Sequence, residues 1–181
     1  MNTYIALLRG INVSGKNIIK MHDLKHLFES LNFENVNTYI QSGNVIFQSN
    51  LTDIKIISNQ ITGRIKNDFG FEVPVIINNL NYLTQILNNN PFNQSNYPED
   101  QVLVTLLSDI PKSEHINLIN SANYLPDLYV IIDNIIYLYC PNGYGRTKLT
   151  NTFFEKKLKL IATTRNIRTL NELIKIGESF K

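Results

Sequence analysis

Apolar and polar positions alternate with two different periods along this chain, and the order in which the periods change outlines a fold. Residues 4–8 form a short apolar run without a helix-period polar face, which reads as a strand ending at Arg9. After a glycine-containing loop, Leu24, Leu27, Phe28 and Leu31 recur on one face of a helix that His22 or Asp23 can cap and that ends near Asn32. Two β-rich runs, 36–40 and 45–47, flank Gln41-Ser42-Gly43-Asn44, a hairpin turn with glycine available for positive φ. Ile54, Ile57, Ile61, Ile65 and Phe69 mark a second helix, opened by Thr52 or Asp53 and closed by Gly70. Residues 73–77 then make a strand with Pro74 near its start. The order βαββαβ is that of the ferredoxin-like unit, in which two helices cover one sheet face.

The same order recurs downstream. Residues 80–87 read as a linking helix, and 88–98, with Asn88-Asn89-Asn90-Pro91 and Tyr97-Pro98, as the longest turn-rich segment. This sets an N-terminal subdomain at 1–78, a link at 79–100 and a C-terminal subdomain at 101–181. Within the last, the pattern predicts a strand at 101–107, a helix at 111–119, a hairpin of 128–132 with 135–139 over Asp133-Asn134, a helix at 150–158 and a short strand at 160–162. A final helix at 164–178 turns Ile167, Leu170, Leu173, Ile174 and Phe180 inward. The expected fold class is α+β, with two ferredoxin-like alpha-beta plaits and an additional C-terminal helix.

Composition sharpens this picture in three respects. With 181 residues the chain can bury a core without disulfides, and its single cysteine, Cys140, has no intramolecular partner. No apolar stretch approaches a membrane span, and Met1-Asn2-Thr3-Tyr4 opens no secretory leader, so the expected location is the cytoplasm with no membrane partner. Asparagine occurs 26 times against 3 alanines, which weakens any inference from a single Asn.

Net charge is only +2, below that of a domain built simply to coat nucleic acid. Its distribution is uneven: +1 over residues 1–78, −5 over 79–145 and +6 over 146–181. Four of the five arginines (Arg9, Arg146, Arg165, Arg168) sit in short polar motifs at the ends of predicted elements. Guanidinium forks match phosphate and carboxylate oxygens, so this placement is the main chemical signal of the chain.

Gly10-Ile11-Asn12-Val13-Ser14-Gly15-Lys16-Asn17 nearly satisfies the P-loop pattern, but Asn17 stands where a magnesium-ligating hydroxyl is needed, and Ile18-Ile19-Lys20 looks extended where a helix should begin. Asp133, which could pose as the metal-supporting acid, is equally explained by a turn. A glycine-rich connection bringing Lys16 and backbone amides to an anion fits better. His22 and His26 have the spacing of two metal ligands on one helix face, yet no third ligand is evident, and Lys25 and Glu29 share that polar side; a solvated face and no metal are expected. No catalytic triad can be built from the three histidines, and Cys140 reads as a small buried residue.

Two further segments combine cations with special backbone. Asn142-Gly143-Tyr144-Gly145-Arg146-Thr147-Lys148 joins a strand to a helix; it is either an ordinary turn or a cation-lined loop. In Thr163-Thr164-Arg165-Asn166-Ile167-Arg168, a cap at Thr163 or Thr164 would place both arginines in the first helical turn, where the macrodipole is already positive. Either acidic side chains neutralise them or the helix start receives an anion.

Taken together, Arg9-Gly10-Ile11-Asn12-Val13-Ser14-Gly15-Lys16-Asn17, Lys20-Met21, Thr38-Tyr39-Ile40-Gln41-Ser42-Gly43-Asn44-Val45-Ile46-Phe47, Tyr144-Gly145-Arg146-Thr147-Lys148-Leu149 and Ala162-Thr163-Thr164-Arg165-Asn166 resemble a bacterial family known as domain of unknown function 1697. The resemblance implies paired alpha-beta plaits and carries no established activity and no catalytic residues. Ser14 stands for a usual glycine, Thr147 for a usual serine and Ile167 for a usual tryptophan.

The leading expectation is an anion-binding protein in which Arg9, Asn12, Lys16, Gly43, Asn44, Arg146, Lys148, Arg165 and Arg168 line one cleft between the halves for a phosphorylated small molecule or nucleotide. No general base stands out, so no turnover is assigned, and no cofactor is expected. Three other readings compete: a nucleic-acid-binding module, a magnesium-dependent P-loop-like enzyme, and a structural protein whose arginines hold intramolecular ion pairs.

Overall fold

In the computed structural model, which describes residues 1–93, 96–120 and 124–180, the alternating runs pair into two four-stranded antiparallel sheets. The first contains β1 (Asn2–Leu8), β2 (Glu34–Tyr39), β3 (Asn44–Ser49) and β4 (Val75–Asn79), in the order β2-β3-β1-β4, with helices α1 (Met21–Ser30) and α2 (Ile54–Phe69) as the crossovers. A further helix, α3 (Leu80–Asn88), follows directly. The second sheet contains β5 (Val102–Leu107), β6 (Leu128–Ile132), β7 (Ile135–Tyr139) and β8 (Ala162–Asn166), in the order β6-β7-β5-β8, with crossovers α4 (Ser113–Asn120) and α5 (Asn151–Leu158). Helix α6 (Ile167–Glu178) ends the chain. Each half is a βαββαβ plait, so the protein has two ferredoxin-like subdomains plus a C-terminal helix. Gln94 and Ser95, inside the expected turn-rich link, lie outside the described residues.

Period-two alternation explains the first core. Tyr4, Ala6 and Leu8 point from β1 toward the helices and join Val45 and Phe47 of β3, Leu24, Leu27 and Phe28 of α1, and Ile57, Ile61 and Ile65 of α2. The intervening Ile5 and Leu7 are also fully buried, as is Ile46, so the central strands β1 and β3 are apolar on both faces. This is why they read as continuous hydrophobic runs. Helix α2 ends as its sequence dictates: Asp53 Oδ1 accepts from the Lys55 and Ile56 amides, and Gly70, at φ 80°, closes it. Helix α1 departs from expectation, because its cap is Lys20 without a side-chain bond and neither His22 nor Asp23 caps it.

In the second half Leu103 and Leu107 of β5, Ile136 and Leu138 of β7, Phe154 and Leu158 of α5 and Ile119 of α4 form the corresponding core. Two boundaries differ from the sequence reading. The last strand is 162–166 rather than 160–162, and α6 starts at Ile167 rather than near Thr164. Cross-strand pairing with β5, from Leu107↔Ala162 to Leu103↔Asn166, holds Thr163 and Thr164 in the ladder. Asn166 takes over as the cap: its Oδ1 accepts from the Thr169 amide at 2.7 Å.

The chain divides into two compact units, one of Met1–Gln85 together with the stretch from Asn171, the other of Ile86–Leu170. The end of α6, expected within the C-terminal half, therefore belongs with the first unit. There Gly177 lies so close to Leu80 and Thr3 that a β-carbon would come within 2.8 Å of Leu80 Cδ1, and Gln48 Nε2 donates to the Phe180 carbonyl. None of the helices among the described residues is long and apolar enough to cross a membrane.

Candidate functional site

The segment after β1 that resembles a P-loop folds as a miniature hairpin. Val13 and Lys16 form an antiparallel bridge, the Asn12 amide donates to the Asn17 carbonyl at 3.2 Å, and Asn12, Ser14, Gly15 and Asn17 all take positive φ. Ser14, at φ 52°, holds a left-handed conformation in which a glycine would sit without strain. Because α1 starts only at Met21, no helix begins directly after Lys16 and Asn17, as a P-loop requires for its amides to meet the phosphates.

Asn12 clamps the loop. Its Nδ2 donates to the Ile19 and Gln41 carbonyls, both at 2.9 Å, and its Oδ1 accepts from the Ile19 amide at 2.9 Å. The loop is thereby tied to the β2–β3 turn. Asn44, fully buried, donates to the Tyr39 carbonyl and to Ser42 Oγ. Gly43 passes its carbonyl to the Leu8 amide at 2.8 Å, and a β-carbon on it would meet Leu8 Cβ and Ile11 Cδ1, each at 2.8 Å. Three of the five candidate residues in this unit thus serve the join between loop and hairpin. Lys16 is exposed on the loop, and Arg9 is half-buried beside it, with its amide bonded to the Pro74 carbonyl.

In the second unit, Arg146 and Lys148 border a cavity of about 400 Å³ together with Tyr124, Pro126, Asp127 and Asn142. The loop carrying them is firmly seated. Gly143, at φ 84°, turns the chain into a 3-10 turn over Tyr144–Arg146, and the Tyr144 hydroxyl both donates to Thr164 Oγ1 (3.2 Å) and accepts from the Asn151 amide (3.3 Å). The Thr147 hydroxyl donates to Asp127 Oδ2 at 2.6 Å and accepts from the Leu149 amide. Asp127 is held by this neutral donor. Among the described residues no carboxylate reaches ion-pair distance of Arg146 or Lys148, and both side chains are exposed.

Arg165 and Arg168 stand apart from that cavity. Thr164 hydrogen-bonds its cross-strand partner Thr105 at 2.6 Å on the helix-covered face, so neighbouring Thr163 and Arg165 belong to the opposite face of the sheet. Arg165 Nη1 donates to Thr163 Oγ1 and to the Thr164 carbonyl, each at 2.9 Å. With the helix beginning at Ile167, Arg165 is a strand residue and only Arg168 lies in the first helical turn, where it is exposed. The expected pair of arginines at one helix start is therefore not formed. Ile167 is buried.

The remaining candidates resolve simply. Asp133, at φ 52°, is a hairpin-turn residue. Cys140 is fully buried, and that burial, reinforced by the nearby Asp127 charge and opposed by a hydrogen bond with Thr147, pushes its thiol up to about 11. Such a group stays protonated near neutrality and is a poor nucleophile. His115 Nδ1 lies 3.0 Å from the Leu158 carbonyl, linking α4 to the end of α5. A second cavity, of about 410 Å³ in the first unit, is bordered by uncharged side chains including Thr52, Asn79 and Asn81. Sequence reasoning missed Asp127 and Asn151, and it quoted Tyr144 and Thr164 only within their motifs, without the bonds that join them, because the partners come from separate elements.

Comparison with curated proteins gives no match. Among solved structures the chain is similar to the conserved bacterial protein SP0830 from Streptococcus pneumoniae, with TM-score 0.72 and 21% identity over 97% of this chain and 98% of that one, which supports the fold alone. The family model described as protein of unknown function (DUF1697) matches residues 1–137, three quarters of the chain, from its start into β7; the chain belongs to this family.

Proposed function

We propose that the protein binds a phosphorylated small molecule or a nucleotide through Arg146 and Lys148. The observation that carries the reading is the pair of exposed cations, without carboxylate partners among the described residues, bordering a cavity of about 400 Å³. That volume lies within the range of roughly 300–1,000 Å³ typical of small-molecule sites. The guanidinium offers a fork to two phosphate oxygens, and the ammonium adds a point charge. Asn142 supplies an amide, and the half-buried Tyr124 a surface for an apolar or aromatic group. Loop rigidity helps: the Tyr144 hydroxyl bonds hold the segment before binding, so less conformational entropy is lost on association. Arg168, exposed in the same unit, adds to the positive field around the site rather than contacting the ligand.

The test is a thermal-shift and calorimetry panel of inorganic phosphate, sugar phosphates, nucleotides and short oligonucleotides at two salt concentrations. A ligand present at a hundred times its dissociation constant should stabilise the native protein by about 2.7 kcal/mol. The shift should disappear in the Arg146→Ala/Lys148→Ala double variant and persist in Arg165→Ala/Arg168→Ala. Binding confined to oligonucleotides and falling steeply with salt would replace this reading with nucleic-acid binding. No shift with any phosphorylated compound would refute it.

A further inference from the structure

We propose that His22 and His26 on α1 form a two-imidazole site for a divalent transition-metal ion of the copper(II) or nickel(II) class. Their Nε2 atoms converge to 2.9 Å, and the rings meet edge to face with centroids 4.2 Å apart. Each ring turns its other nitrogen toward a carboxylate of the same helix: His26 Nδ1 lies 3.0 Å from Glu29 Oε2, and His22 Nδ1 lies 3.4 Å from Asp23 Oδ1. The carboxylates occupy the Nδ1 side of each ring and leave the two Nε2 atoms facing one another, where a metal ion could take the place of the proton they share.

The distances select the kind of cation. With metal–nitrogen bonds of about 2.05 Å, two nitrogens at adjacent corners of a square or octahedron lie about 2.9 Å apart, whereas two corners of a tetrahedron lie about 3.3 Å apart. The observed 2.9 Å matches the first. The ring separation points the same way. A straight N–H···N hydrogen bond between the rings would hold the centroids about 5 Å apart, and a shared metal at a right angle about 4.5 Å. The observed 4.2 Å is nearer the second.

Among the described residues no third His, Cys, Asp or Glu completes the cluster, so the remaining positions would be open to water or to an exogenous ligand. This is unlike a closed structural zinc site. Both side chains are well exposed, at 77% and 61%, so the ion can enter without displacing packed atoms. Lys25, 3.8 Å from Glu29 Oε1, leaves the other carboxylate oxygen to His26.

The experiment is titration of the full-length protein with nickel chloride by calorimetry at neutral pH, and with copper chloride by electron paramagnetic resonance. One ion per chain should bind, with two imidazole nitrogens in the copper spectrum. His22→Ala and His26→Ala should each weaken binding about tenfold or more, and Glu29→Gln by several-fold. His115→Ala should leave it unchanged. Circular dichroism checks that the variants fold, as expected for exposed positions on a solvated face. Equal affinity in wild type and both single-histidine variants, or a copper spectrum with fewer than two imidazole nitrogens, overturns the proposal.

Discussion

Replacing Gly43 with alanine separates a glycine kept for packing from one kept for access to a ligand. Gly43 and Gly10 both sit at φ 74°, and an alanine at either must enter the left-handed region at a cost of roughly 1–2 kcal/mol. Their surroundings differ. A β-carbon at Gly10 meets nothing within 4 Å, whereas at Gly43 it would stand 2.8 Å from Leu8 Cβ and 2.8 Å from Ile11 Cδ1. Ile11 can rotate part of its side chain away. Leu8 Cβ is fixed to the central strand β1, so the turn itself must shift, stretching the 2.8 Å bond from the Leu8 amide to the Gly43 carbonyl. Overpacking of this kind costs about 1–3 kcal/mol, giving a total of about 2–5 kcal/mol for Gly43→Ala. Equilibrium urea unfolding followed by far-ultraviolet circular dichroism is the suitable assay, since the chain has no tryptophan for fluorescence. The two midpoints should differ by about 1–3 kcal/mol once multiplied by a common m value. If Gly43→Ala costs no more than Gly10→Ala, the packing explanation fails and the ligand-access explanation regains its ground.

Two more outcomes follow from the same physics. Asn12→Ala removes three hydrogen bonds between the loop, Ile19 and Gln41 and should destabilise the first unit by about 2–4 kcal/mol, while Asn12→Asp, which retains the acceptor, should fall in between; an effect below about 0.5 kcal/mol in urea unfolding would contradict the clamp. Cys140 should resist thiol reagents in the native protein at mildly alkaline pH and react at once in denaturant. Its raised pKa also sets a stability trend. The folded state keeps a proton that the unfolded chain releases, so the contribution is complete below about 9 and declines as pH rises toward about 11. The wild type should therefore lose about 2–3 kcal/mol more than Cys140→Ala across that window, and parallel profiles would refute the assignment.

Much of the site inventory was legible only as residue types. Arg146 and Lys148 were marked by their glycines and their place between a strand and a helix, and the fold seats both on one cavity. Asn12 and Asn44 carried the same polar signal, yet their amides bond the chain's own carbonyls, because a turn of positive-φ residues leaves buried backbone groups that some side chain must satisfy. His22 and His26 were legible as a spacing. Whether their nitrogens converge or diverge depends on side-chain torsions that spacing leaves open.

By itself the sequence determined the two plaits. Periods of two and 3.6, the Asp53 cap, the Gly70 stop and the Asp133-Asn134 turn are local instructions, each satisfied by atoms a few residues away. Tertiary structure decided where β8 ends and α6 begins. Thr163 and Thr164 are acceptable helix caps in isolation, but pairing with β5 and the hydroxyl of Thr105 offer them bonds from a segment distant in the chain, so they extend the strand and leave the cap to Asn166. That shift of three residues turned Arg165 to the sheet face away from Tyr144. Local chemistry proposes several partners for a polar group, and only the packed strands determine which partner is within reach.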